Sequence, residues 1–141
     1  MQTQVAMTTP LLKTLETSRE YTLAVAEAMP EQAYDSKPAG AGWNFRELLQ
    51  HIAYGIGWWE DNYINGKETD WAPPAETLKK KQVIASINDA YSRLKATMDG
   101  SQLNEAGLQG FHATLDHITH HRGQAVLHLR CQGIEPPAYT Y

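Results

Sequence analysis

What most constrains this chain is a pattern repeated four times: apolar residues three and four apart, in long stretches closed by proline or glycine. No stretch shows the strict alternation of a half-buried strand. In the first stretch Leu11, Leu12, Leu15, Ser18, Thr22, Val25 and Met29 share a helical face. Thr9 as N-cap, Pro10 at the first helical position and Pro30 as a stop predict a helix over 10–29. The second is predicted over 45–65, because Asn44 and Glu47 have capping-box spacing and Gly66 ends the run. A proline-containing linker, 70–75, precedes a third helix predicted over 77–98. Its stripe is Leu78, Val83, Ile87, Tyr91, Leu94 and Met98, and Asp99-Gly100-Ser101 is its expected end. The fourth is predicted over 110–132, with Gly133 at C′ and Pro136-Pro137 just beyond. Four such helices make an all-α four-helix bundle. The 14 residues of 30–43 are long for a hairpin between neighbours, so a crossover connection is expected.

At 141 residues the chain fits one domain spanning 1–141. Hydrophobic residues are 42% and charged residues 20%, as in a globular protein rather than a disordered one. With 12 basic against 16 acidic residues and a net charge of -4, the chain lacks the cationic surface that nucleic acid requires. Lys79-Lys80-Lys81 reads as a solvated helix start. No apolar run approaches the ~18 residues of a membrane span, and Met1 to Pro10 lacks the charged and apolar regions of a secretory signal. Cys131, the only cysteine, forms no internal disulfide, so a reducing cytoplasm is the expected compartment. It lies about 280° round the helix from His121 and reads as a small buried hydrophobe. A phosphate-cradling glycine loop and a dinucleotide fingerprint are both missing.

The chemistry is concentrated in the fourth stretch, His117-Ile118-Thr119-His120-His121-Arg122-Gly123-Gln124. Each helical residue advances about 100° and 1.5 Å, so His117 and His121 stand one turn apart on one face, and Gln124 shares it. His120 lies about 60° to the other side. His112 points to solvent, and His128, about 16 Å along the axis from His117, marks the far end of a cavity or a solvated position. Two imidazoles one turn apart can bind one metal if another element supplies a further ligand. His51, inside the apolar run Leu48 to Tyr54, is the candidate, since an unpaired imidazole there would carry a desolvation penalty. Glu47, Tyr54, Gly55 and Trp58 share its face. Glu47, Tyr54 and Gln124 are candidates for orienting ligands or relaying a proton. Gly55 and Gly123 each cost about 1 kcal/mol relative to alanine inside a helix, which suggests close approach of backbones or a group needing the space. Three imidazoles would leave a coordination position open, as in catalytic sites, and suit zinc, nickel, copper or ferrous iron. The chain has no HExxH; Ile118 stands where a zinc protease has glutamate. Trp58-Trp59, Tyr63 and Trp71 read as core or dimer surface, with a substrate platform as the alternative.

His51 in its LLxHIA context, His117-x3-His121, Arg122-Gly123-Gln124 and the closing Gly133-Ile134-Glu135-Pro136-Pro137 together resemble the DinB-like (damage-inducible, YfiT-related) proteins over nearly the whole chain. The resemblance implies a four-helix bundle holding one divalent metal, zinc or nickel ahead of iron, on His51, His117 and His121, with His120 a non-ligand, often in a homodimer. It also implies a metal-dependent enzyme acting on a small molecule, like the thiol S-transferases and isomerases of the family that use low-molecular-weight thiols; a metal that activates water instead would make a hydrolase. The connection over 98–110 is shorter than in longer relatives. Two alternatives remain open here. A non-enzymatic, metal-binding dimeric bundle serving as a stress-response or interaction module predicts an occluded metal position, or an exposed one with no cavity beside it. A bundle with histidines as mere polar surface predicts His51 far from His117.

Overall fold

The protein, seen in a computed structural model, is described for residues 2–99 and 102–141, with side chains of the first helix from Thr9 onward. Four α-helices occur among the described residues: α1 (Gln2–Ala28), α2 (Phe45–Trp59), α3 (Lys80–Asp99) and α4 (Glu105–Cys131). Both α1 and α2 pack mainly on α3 and α4, so α1 and α2 stand at opposite corners. The chain from Pro30 to Asn44 therefore crosses the end of the bundle, as its length suggests. Between the helices lies one continuous core, including Val25, Met29, Phe45, Ile52, Ile87, Leu94, Phe111, Ile118 and Leu129. No helix among the described residues is long and apolar enough to cross a membrane.

Local chemistry accounts for most boundaries and explains the departures. The Asn44–Glu47 capping box forms in both directions, which fixes the start of α2. The last turn of that segment widens into a π-turn, Glu60–Ile64, closed by Asn65 N–H donating to the Glu60 carbonyl. Gly66 follows at φ +72°, the left-handed conformation that ends the run. Behind α4, Gly133 takes φ +74°. Its N–H reaches the Arg130 carbonyl while Ile134 N–H reaches Leu129, the double closure of a Schellman turn.

Three expected starts are corrected. Pro10 lies inside α1 and Thr9 is not its N-cap. An interior proline lacks the N–H for one helical hydrogen bond and crowds the carbonyl four residues back, yet α1 runs through it, and the preceding residues contain no other breaker. Helix α4 begins five residues before Gly110, because Asn104 caps it by accepting from Gly107 N–H at 2.8 Å. Gly110 then sits buried beneath Tyr63, where any Cβ would collide with that side chain. Helix α3 starts at Lys80 rather than 77: the Leu78 carbonyl is taken by the Arg46 side chain, and the first helical bond runs from Val83 N–H to the Lys79 carbonyl. Its expected stop at Gly100-Ser101 lies outside the described residues. Buried Arg46 donates to Asp35 and to the Leu78 carbonyl, joining the crossing segment to the approach to α3.

Candidate metal centre

Helix α2 presents His51, Gly55 and Trp59 at intervals of four, and α4 presents His117 and His121 at the same interval. The two faces meet. His117 Nε2 lies 2.8 Å from His51 Nε2, which lies 3.1 Å from His121 Nε2. A ligating nitrogen from each can be chosen so that all three lie within 4.8 Å of one another. That proximity overturns the alternative in which His51 is remote. Gly55 makes it possible: a Cβ there would stand 2.5 Å from His117 Cε1 and 2.7 Å from its Nδ1. The glycine leaves the slot between His51 and Trp59 that the His117 ring fills. Gly123 has no such role, since it is exposed and a Cβ on it would meet nothing within 4 Å.

Three tryptophans wall the cluster. Trp43 lies 4.5 Å from the His51 ring and 5.5 Å from that of His121, between ring centroids. Trp59 lies 4.8 Å from His117, and Trp71 lies 5.4 Å from His51 and 5.9 Å from His117. So Trp59 rather than Trp58 faces the imidazoles; the Trp58 indole N–H donates to the Asp70 carbonyl. Sequence reasoning missed Trp43. Its signal was present, two helical turns before His51, but it lies outside the helical pattern, just before the Asn44 cap.

Burial in these aromatic walls disfavours the charged imidazoles. His117 is pushed down to about 3, by burial first and then by the neighbouring His51, His121 and His120. His51 is pushed down to about 4 by burial and by His121. His121 is lowered less decisively, because its bond to Gln124 opposes burial. All three are therefore neutral near pH 7, the form in which imidazole ligates metal. Gln124 Oε1 accepts from His121 Nδ1–H at 2.8 Å, fixing the tautomer whose Nε2 lone pair faces the other two rings. His117 Nδ1 is buried without a hydrogen-bond partner. One shared proton cannot satisfy three converging nitrogens, whereas a single cation can. The residues fit a divalent metal.

Glu47 Oε1 accepts from the Asn44 N–H of the capping box, and its side chain borders a cavity of about 390 Å³. That cavity also reaches His51, Trp43, Tyr54, Pro73, Pro74 and Arg93. Tyr54 Oη accepts from Ala72 N–H at 2.8 Å. His112 and His120 are exposed, and only the edge of the His120 ring approaches His121. His128 is buried and lines a second cavity of about 450 Å³ beyond Trp43, with Leu127 and Gln124. Cys131 is exposed, correcting its expected burial: it is the last helical residue, beyond Leu129, where α4 leaves the core.

A family model described as the DinB superfamily matches residues 14–128. The fold is also similar to the crystal structure of a DinB-like protein from Bacillus cereus. The two share 14% sequence identity and a TM-score of 0.76, over 92% of this chain and 95% of that one. No curated protein matches the chain in sequence.

Proposed function

Since the chain belongs to the DinB superfamily, we propose that it is a metal-dependent enzyme whose ligands are His51, His117 and His121. Zinc or nickel is the first choice of ion and iron the second. The observation that carries this reading is the meeting of three neutral imidazoles, one of them oriented by Gln124, around one point. A bound divalent ion would supply a Lewis acid that brings the pKa of a coordinated thiol or water toward neutrality. The chain's own residues prepare for that chemistry. Gln124 holds the His121 tautomer, burial keeps protons off His51 and His117, and Trp43, Trp59 and Trp71 limit water around the rings. The cavity at His51, with apolar walls from Ala53, Pro73 and Pro74, offers a small substrate a place beside the centre. It favours an enzyme over an interaction module, which has no use for it. The proposed reaction class is transfer of a low-molecular-weight thiol to an electrophile, its sulfur forming the new bond as its proton is released, with hydrolysis by activated water as the alternative.

Metal analysis of protein purified without added metal is the first test. One equivalent per chain is expected, lost in His117→Ala and His121→Ala. Sub-stoichiometric metal that does not rise on reconstitution, together with wild-type behaviour of both variants, would sink the reading. Loaded protein is then assayed with small thiols and electrophiles, and turnover without thiol would point to hydrolysis.

A further inference from the structure

The segment joining α2 to α3 runs back along α2, held by polar side chains at every fourth position of that helix and of the π-turn that ends it. Asn62 accepts from Thr69 N–H at 2.7 Å and donates to Thr69 Oγ1 at 2.8 Å. The Trp58 indole donates to the Asp70 carbonyl at 3.2 Å. Tyr54 Oη accepts from Ala72 N–H at 2.8 Å. Gln50 donates to the Glu76 carbonyl and accepts from Leu78 N–H, both at 2.9 Å. Side chains four apart line one side of a helix, so Asn62, Trp58, Tyr54 and Gln50 form a ladder along which residues 69–78 lie as a strap.

Trp71 is the strap residue pinned on both sides, by Asp70 and by Ala72. Its ring packs edge-on against Tyr54 at 4.9 Å, Trp58 at 5.4 Å and Trp59 at 5.6 Å, and against His51 and His117. Nothing within the strap itself fixes this placement, because it contains no helix or strand. The ladder supplies it. The cavity at His51 is bounded by the same strap, at Pro73, Pro74, Ala75 and Glu76.

We propose that Trp71 is a specificity-determining wall controlling which molecules reach the His51 and His117 imidazoles, and that Tyr54 is the positioning residue holding it there. Trp71 is itself 40% exposed, so it is a wall with solvent behind it rather than part of the core. Displacing it opens the histidines directly. The functional meaning rests on the metal-centre reading, but accessibility of the imidazoles can be measured without metal, so the two can fail separately.

The experiment uses the full chain freed of metal and the small acylating reagent diethyl pyrocarbonate, with modification rates read histidine by histidine by peptide mass spectrometry. Trp71→Ala is expected to speed modification of His51 and His117 about tenfold, the scale of one local opening equilibrium. His112 and His120, exposed in the wild type, serve as internal controls and should stay within about twofold. Tyr54→Phe keeps the ring against Trp71 and removes only the acceptor for Ala72 N–H. It should raise amide hydrogen exchange at Ala72 and modification of His51 and His117 together, with an unchanged thermal midpoint. Unchanged His51 and His117 rates in Trp71→Ala would overturn the wall. Faster exchange at Ala72 without faster modification would overturn the role of Tyr54. A rise also at His128, buried outside the cluster, would mean general loosening and overturn both.

Discussion

His121 and Arg122 are adjacent in sequence, point about 100° apart round α4, and each belongs to a buried polar cluster. Arg122 is 5% exposed and donates to Thr22 Oγ1 at 3.0 Å and to the Ser18 carbonyl and hydroxyl at 3.4 Å. It lies 4.5 Å over the Tyr21 ring, which Tyr139 of the C-terminal tail covers edge-on. The Tyr91 hydroxyl bonds both Ser18 and Thr22, completing a network in which donors meet acceptors. At the histidine cluster, three nitrogens that can each offer a lone pair converge, and one ring nitrogen is buried without a partner. A cluster that satisfies itself needs no visitor, and it reads as structure. One that is short of a cation reads as a site.

The comparison is broken most sharply at Gly55. Replacing Gly55 by alanine should drive His117 from its slot and weaken metal binding by about a hundredfold. The metal-free chain should lose little, because alanine is the better helix former by about 1 kcal/mol. Competition titration with a chelator, beside thermal melts, checks both halves. Arg122→Met should do the reverse. It removes bonds to buried hydroxyls and the contact with Tyr21, at a cost of about 2 kcal/mol in denaturant unfolding. Metal stoichiometry should be unchanged. Gln124→Leu should cost about tenfold in metal affinity, as loss of a tautomer-fixing partner does, with stability nearly intact.

The two clusters also differ in acid stability. In the unfolded chain His51 and His117 titrate near ~6.5, but in the fold they are held down to about 4 and about 3. Below pH ~6.5 the unfolded state therefore binds protons first. The stability these two histidines allow is present in full above that pH and is lost as the pH falls toward about 4 and then about 3. Melting midpoints of metal-free protein between pH 7 and 5 should fall, and should fall less in His51→Gln. Arg122, charged throughout this range, adds no such slope.

How much of this was legible in the sequence follows from the range of the interactions. The capping box at Asn44, the Gly133 closure and the shared face of His117 and His121 depend on residues within a turn or two, and spacing exposes them. His51 was legible as an imidazole stranded among apolar neighbours. Gly55 could be suspected of making room, but the occupant of that room, His117, comes from 62 residues further along the chain. The ladder on α2 was invisible for a related reason. Gln50, Tyr54, Trp58 and Asn62 look like an ordinary half-exposed helix face until the strap lies on it. Trp71 then carries a role that no periodicity assigns. The early start of α4 at Asn104 was a local signal overlooked, because Gly107 and Gly110 made the segment resemble a loop.

The π-turn over Glu60–Ile64 has a consequence for chain length. A turn that holds more residues than its neighbours absorbs one extra residue without breaking the helix, and here it sets the phase of everything after it. Asn62, the last rung under the strap, lies within that turn, and Thr97 on α3 anchors its first residue, Glu60. Deleting a single residue from the turn would let the backbone revert to ordinary α pitch. Later positions would rotate by about 100°, carrying Asn62 away from Thr69 and Tyr63 away from Gly110. The segment would tolerate many exchanges of side chain but not a change of length by one, so related sequences aligned here should vary in composition and keep their count.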